Sequence, residues 1–509
     1  MLSIEFKTQI PQTHESIAVT RVAFANRREG RSLVDVDHNL SGCVHPRHAY
    51  QRPALERHPA RCFAIALRAL PVADSCDMII PLEGARARWS FFAGIILIAG
   101  SLAMEEGKLW LAAQEGASWD ADRLLRAAQL EPTDADYWDR LGLYEKWNFE
   151  HRDLRRAVVY FQRATETNPL SDRNWMDLAE AYEAVGDTGR AREAFDSAQL
   201  AHPSSSDVAW RFGNFLLRQK DYFEAFAEMR RALATDPDLT VKAVSECSKA
   251  TGDLPMILTE VLPNHSGYYL TALDYFLSQQ ETDAALSVWN RLVGLNETIN
   301  MPQVVPLVNE LILQGRVDDA LGVWRQALAS TNWPLDEGAN SSLVFNGGFE
   351  HDLLNGAFDW REDSIPGVAF SSESEVVHRG RRALRVTFNG SANLDFQNLL
   401  QFTVVEPRHR YHFGAYLRLE GISTDSGIRF AIYDPFRRAT PQILTPDLVG
   451  SHPWSLVEAE VVTGPETHLL VIALRRIPSW KFDNKLRGTV WVDDVSLIPF
   501  PEDGTEGPR

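Results

Sequence analysis

The sequence predicts a multidomain chain, an all-α helical-repeat solenoid followed by an all-β sandwich, and three observations predict it. Prolines at 132, 169, 203 and 237 recur at intervals of 37, 34 and 34 residues, each closing a stretch of helical periodicity. Near Trp333-Pro334-Leu335-Asp336 that periodicity stops, and from Leu343 onward short alternating apolar runs separated by turn residues replace it. Ahead of both parts lies one uncharged apolar run, Trp89–Met104. A chain of 509 residues, 45% hydrophobic and 24% charged, is long enough for two or three separate cores. The expected division is an N-terminal extension over 1–88, an export or membrane segment over 89–104, the solenoid over 105–333, a linker over 334–342, the sandwich over 343–500 and a disordered tail over 501–509.

The apolar run is 16 residues long, preceded by Arg86 and Arg88 and followed by Glu105 and Glu106. A membrane span needs about 20 apolar residues, so the run is a short transmembrane anchor or the apolar core of a signal peptide, with Ser101-Leu102-Ala103 as small residues at a cleavage position. Arginines ahead of it hold that end in the cytoplasm and place everything after residue 104 outside, periplasmic or extracellular. A chain starting at Met78 would read as an ordinary export signal, so residues 1–77 are expected to be an untranslated upstream extension. The competing reading is a disordered cytoplasmic tail on a single-pass protein.

The 34-residue period is that of tetratricopeptide repeats, whose pattern runs W-x2-L-G-x2-Y, A-x3-F-x2-A and then P. The segment Asp172–Ser205 resembles it through Trp175, Leu178, Ala179, Tyr182, Ala191, Phe195, Ala198 and Pro203. The preceding segment does so through Trp138, Leu141, Gly142, Ala157, Phe161, Ala164 and Pro169, with three extra residues around Trp147–Asp153. The following one matches at Gly213, Ala225, Met229, Ala232 and Pro237, and a half-repeat with Leu124, Ala127 and Pro132 opens the series. Small residues in the first helix let the second approach, and the large ones fill the gaps between neighbours. Ala285-x3-Trp289 and Ala320-x3-Trp324 extend the second-helix pattern, so further helix pairs are expected near 241–262, 267–293 and 302–329. The resemblance implies a concave groove that holds a protein partner.

In the C-terminal part, Leu384, Val386 and Phe388, then Tyr411 to Leu419, then Ile428, Phe430 and Ile432, then Leu470, Ile472 and Leu474 each fall on one face of a strand. The domain opens with Phe345-Asn-Gly-Gly-Phe-Glu350, followed by Trp360, and closes with Val490-Trp-Val-Asp-Asp-Val-Ser-Leu497. These end motifs resemble the jelly-roll carbohydrate-binding modules of the galactose-binding-like superfamily. The resemblance implies a structural calcium ion where the first and last strands meet, with Glu350 and Asp494 as its carboxylates; the alternative is that both only hydrogen-bond the termini together. No other cofactor is expected. Sugar binding needs aromatic faces and planar polar groups. The aromatic candidates are Trp360, Trp454 and Trp480, each weighed against an ordinary core position; the polar candidates are Arg361, Asp395, Gln397, Arg429 and Arg475.

Charge and motifs narrow the function further. The formal net charge is -18, and residues 89–509 hold 39 Lys/Arg against 60 Asp/Glu, which disfavours nucleic acid as a partner. Of four cysteines only Cys247 lies past residue 88, so no internal disulfide framework is expected there. No G-x-S-x-G, Walker loop or H-E-x-x-H occurs, so a non-enzymatic protein is expected. The expected function is an exported scaffold that docks a protein on its solenoid and a cell-envelope or exopolysaccharide glycan on its sandwich. The alternatives are a purely structural interaction protein whose sandwich binds protein, and an accessory subunit of a glycan-processing complex.

Overall fold

The computed structural model describes residues 84–331, 342–437 and 441–501. The expectations for residues 1–83, for most of the linker and for 502–509 lie outside the described residues. The first element is a single helix, α1 (Ala85–Gly116), whose stretch from Arg88 to Gly116 is long and apolar enough to cross a membrane and has none of its most apolar window buried. Trp89, Ile96, Leu97 and Ile98 all stand exposed. The last turns of α1 are different: Ala112 is fully buried in a small core with Leu124, Ala127, Tyr137 and Leu141.

Paired helices follow: α2 (Ala121–Leu130), α3 (Ala135–Trp147), α4 (Leu154–Thr167), α5 (Asp172–Ala184), α6 (Thr188–Ala201), α7 (Ser206–Arg218) and α8 (Tyr222–Thr235). Beyond them come α9 (Thr240–Thr251), α10 (Leu254–Glu260), α11 (Ser266–Ser278), α12 (Thr282–Val293), α13 (Met301–Leu313) and α14 (Val317–Ser330). Their starts are set locally. Asp120, Asp134, Asp153, Ser171, Asp187 and Ser205 each accept a backbone N–H of the first turn with the side chain, a cap contributing about 1 kcal/mol. The recurring tryptophan has a second role besides packing. Trp138 Nε1 donates to Pro132 O at 3.1 Å and Trp175 Nε1 to Pro169 O at 2.8 Å, so each indole ties its helix to the proline turn before it. Gly142 faces the fully buried Phe161 ring and Gly213 faces Met229, the close helix approach that the small residues imply.

The C-terminal part is two five-stranded antiparallel sheets. The strands are β1 (Arg361–Glu362), β2 (Val368–Glu373), β3 (Ala383–Asn389), β4 (Phe396–Val404), β5 (Arg410–Ile422), β6 (Arg429–Tyr433), β7 (Ile443–Leu444), β8 (Gly450–Val462), β9 (Leu469–Arg476) and β10 (Arg487–Pro499). One sheet has the order β1-β4-β9-β6-β7 and the other β2-β3-β10-β5-β8. Leu399, Leu474 and Phe430 from the first sheet meet Val386, Phe413 and Val492 from the second in one core. β9 departs from simple alternation, being buried on both faces over Leu469–Leu474. At Leu469 the second face meets the solenoid: Leu469, Ala357 and Phe358 belong to its core, with Phe402 and Val404 packed against it. Trp324 meets Phe345 at 5.2 Å and Phe358 at 5.9 Å, edge to face. Asn309 Oδ1 accepts from both Ala357 N and Arg361 Nη2, each at 2.7 Å.

Candidate functional site

Register places the polar candidates of the sandwich. Phe430 and Leu474 are cross-strand partners that point into the core, so their neighbours Arg429 and Arg475, themselves directly opposed, point out of the same sheet. Gln397 lies on that face too, donating from Nε2 to Tyr433 Oη at 2.5 Å. Arg475 pairs with Asp395, and Arg429 Nη2 lies 2.8 Å from Asp447 Oδ2. Four of the five polar candidates thus gather on one face of the first sheet, with Tyr433 and Asp447 as members that sequence reasoning missed. Tyr433 continues the alternation of β6 beyond the apolar positions, which is the signal that could have found it.

The tryptophans divide. Trp480 is fully exposed, and so is Phe482 two residues on, with relative exposures of 102% and 105%. The loop that carries them is not slack. Ser479 exchanges two hydrogen bonds with Asn393, at 2.9 and 3.0 Å, and its hydroxyl meets Asp425 at 2.5 Å. Ser426 Oγ donates to Ile477 O at 2.6 Å and Ser423 Oγ to Lys485 O at 2.8 Å. Arg476, fully buried at the end of β9, donates to Leu394 O at 2.6 Å and to Asn484 O at 3.0 Å. Burial lowers the proton affinity of that guanidinium, and the carbonyls it bonds offset part of its desolvation. A loop fixed along its length that leaves two aromatic rings in water has its contact surface prepared in advance.

Trp360 and Trp454 do not join this site. Trp360 is fully buried, stacks near Phe349 at 5.1 Å and donates Nε1 to Asn346 O at 3.2 Å, so it offers no ring face to a ligand and is a core residue. Arg361 turns toward the solenoid, bonding Asn309 and lying 4.5 Å over the Phe402 ring, so it too is corrected from ligand candidate to packing residue. Trp454 is half-buried on the other sheet, 5.7 Å from His378, which stacks on Tyr416 at 3.6 Å.

The two carboxylates expected at a calcium ion, Glu350 and Asp494, make hydrogen bonds here, which is the arrangement of the alternative reading. Glu350 Oε1 accepts from Arg381 N at 2.7 Å and Arg382 N at 3.2 Å. Asp494 sits at a positive φ of 49° in the β10 irregularity and turns outward to His378 Nδ1 at 2.5 Å. The inward carboxylate is that of Asp493, which accepts from His378 N, Arg379 N and Asp494 N at 2.8, 3.1 and 2.8 Å. Burial pushes Asp493 up to about 6. Among the described residues no three acidic, His or Cys side chains gather into a ligand set. Glu350 and Asp493 therefore pin the 378–382 turn by hydrogen bonds. Adding a chelator is expected to leave the melting temperature unchanged; an ion held at 1,000 times its Kd would contribute about 4 kcal/mol and its removal would show.

The solenoid has a groove of about 680 Å³ lined from three first helices, by Leu143, Lys146 and Trp147 of α3, Met176 and Glu180 of α5 and Arg211 of α7. Lys146 Nζ meets Glu180 Oε2 at 2.6 Å, and Arg211 Nη1 meets Glu180 Oε1 at 3.0 Å. Burial pushes Glu180 up, but these two cations outweigh it and hold the carboxyl below its ordinary range. Beside the groove, Asn148 accepts from Glu150 N and His151 N, at 2.8 and 3.2 Å, fixing the inserted turn that leaves Phe149 fully exposed.

Comparison with known proteins bears on both parts. A family model described as tetratricopeptide repeat matches residues 149–199 and 176–239. No curated protein matches the chain. Among solved structures, the solenoid is similar to YrrB, a TPR protein with an unusual peptide-binding site, at 13% identity over 42% of this chain and 95% of that one, TM-score 0.22. It is also similar to Pseudomonas aeruginosa PilF, at 17% identity over 39% and 93%, TM-score 0.23. The sandwich is similar to TmCBM61, solved with β-1,4-galactotriose, at 18% identity over 31% and 99%, TM-score 0.22. The chain is a tetratricopeptide-repeat solenoid followed by a C-terminal all-β sandwich.

Proposed function

We propose that this protein is a non-catalytic scaffold of the cell envelope. The solenoid groove takes a segment of a protein partner, the sandwich binds a glycan, and the exposed apolar part of α1 anchors the chain with everything after residue 104 outside the cytoplasm. The observation that carries the glycan reading is the tethered loop with Trp480 and Phe482 wholly in water, beside the Arg475–Asp395 end of the sheet. A flat indole suits the apolar face of a pyranose, and the amides, carboxylates and guanidiniums nearby suit its hydroxyls. The α1 reading rests on a run of exposed apolar residues between Arg86 and Arg88 on one side and Glu105 and Glu106 on the other.

A glycan array with the full chain tests the binding. Trp480→Ala is expected to weaken the glycan signal tenfold or more, about 1.4 kcal/mol, with an unchanged melting temperature, because the ring it removes touches nothing in the folded protein. A well-folded wild-type protein that binds no glycan on the array would sink this reading and leave the sandwich as a protein-binding or purely structural module.

A further inference from the structure

We propose that the glycan is acidic, and that one of its carboxylates is seated between Arg429 and Arg475 on the outer face of the first sheet. This rests on the glycan-binding reading and adds the ligand's class. Two guanidiniums directly opposed across a pair of strands repel each other, and such a pair lowers sheet stability unless an anion lies between them. Each is mostly withdrawn from water, with side-chain exposures of 19% for Arg429 and 14% for Arg475. Arg429 also has an unmet donor: its Nε is buried and has no hydrogen-bond acceptor. Arg475 Nη1 donates to Phe396 O at 3.1 Å and Arg476 O at 2.8 Å, which fixes the guanidinium in place before any ligand arrives.

The resident carboxylates mark the position of the incoming one. Asp447 is one-third exposed, but Asp395 is 65% exposed and lies in the segment just before β4, so a ligand carboxylate can displace it from Arg475 at little cost. A planar carboxylate matches the guanidinium fork with two parallel hydrogen bonds, which a neutral hydroxyl does not. The aromatic tip is close by in the chain and is tied to the same segment. The loop bearing Trp480 leaves β9 directly after Arg476, and its Ser479 is bonded to Asn393, two residues before Asp395. The sandwich also repels a polyanion less than the solenoid does. Residues 105–331 hold 22 Lys/Arg against 36 Asp/Glu, a net of -14, whereas residues 342–501 hold 16 against 19, a net of -3.

The experiment compares three probes on the full chain at low salt, without divalent cations: polygalacturonate, the same polymer fully methyl-esterified, and neutral β-1,4-galactan. Polygalacturonate is expected to bind at least tenfold more tightly than its ester and to weaken as sodium chloride rises. Arg429→Gln and Arg475→Gln are expected to abolish that preference. Asp395→Asn, which removes the competing carboxylate, is expected to tighten polygalacturonate binding several-fold, a gain that a misfolded variant cannot produce. If the ester or galactan binds as tightly as polygalacturonate, the acidic class is wrong and the glycan reading stands. Failure of all three probes, and of the wider glycan array, overturns both.

Discussion

Replacing Gly142 with alanine is expected to lower the stability of the solenoid, although alanine is the better helix former. Propensity alone predicts a gain of about 1 kcal/mol for removing a glycine from a helix interior. The packing predicts the opposite. A methyl group built on Gly142 falls 2.6 Å from two carbons of the Phe161 ring and 2.8 Å from a third, well inside contact distance. That ring has no exposed surface through which to retreat. Overpacking of this kind costs about 1–3 kcal/mol, so the steric effect wins and the sign of the change decides between the two accounts. Phe161→Ala removes the whole ring and is expected to cost about 3–5 kcal/mol. The double variant closes the cycle: with the ring gone the alanine at 142 has room, and its own penalty disappears. Thermal or urea unfolding of the four proteins measures this. A Gly142→Ala variant more stable than wild type, or strict additivity in the double variant, refutes the close approach of α3 and α4.

The same pair of residues shows why the solenoid was legible in the sequence. The small position and the large one recur in register, because each repeat packs its neighbour in the same way, and a periodic contact leaves a periodic mark. The caps at Asp134, Asp153, Ser171, Asp187 and Ser205 add a local start signal to each of these helices. The sandwich was legible wherever one face met the core and the other met water, as in β5, where Tyr411, Phe413, Ala415, Leu417 and Leu419 are all buried. It was less so where the solenoid covers the second face. Nothing local in Leu469–Leu474 distinguishes a strand buried by its own sheet partner from one buried twice. The site was half legible for a related reason. Arg361 and Arg475 project from the same outer face of the first sheet, yet the solenoid meets that face at Arg361, through Asn309, whereas Arg475 pairs with Asp395. That difference is tertiary. Trp360 and Trp480 likewise differ in exposure because one lies beside the Asn346 turn and the other on a loop tied down from beneath. The inward carboxylate is that of Asp493 rather than the expected Asp494, and the irregularity in β10 sets that.

A second large effect is expected from Asp139→Asn, and it should depend on pH. Asp139 is 3% exposed and its Oδ1 has no hydrogen-bond partner. Burial pushes its carboxyl up to about 7, the nearby Asp177 and Asp136 charges push the same way, and Arg173 and Lys146 only partly oppose them. The unfolded chain returns it to an ordinary aspartate value, 3.8. The folded state therefore holds a proton that the unfolded state has released between these two values. The stability this contributes is fully present below pH 4 and is lost as the pH rises through about 7. Above that point the folded protein must either bury an unpaired charge or open. Asparagine has nearly the same shape and cannot ionise, so it keeps the packing and removes the pH-dependent loss. The variant is expected to match wild type near pH 4 and to exceed it at pH 8 by on the order of 2–4 kcal/mol, at about 1.4 kcal/mol per pKa unit. Asp359 and Asp493, both raised to about 6 by burial, act in the same direction within the sandwich. Wild-type protein should thus lose stability between about pH 4 and 7 in the solenoid and between about pH 4 and 6 in the sandwich, and the variant should flatten only the solenoid transition. Melting curves at the two pH values, followed by a probe in each part, separate these contributions. A variant whose solenoid keeps the wild-type pH slope would show that Asp139 is ionised and solvated in the folded protein, contrary to its buried place between α3 and α5.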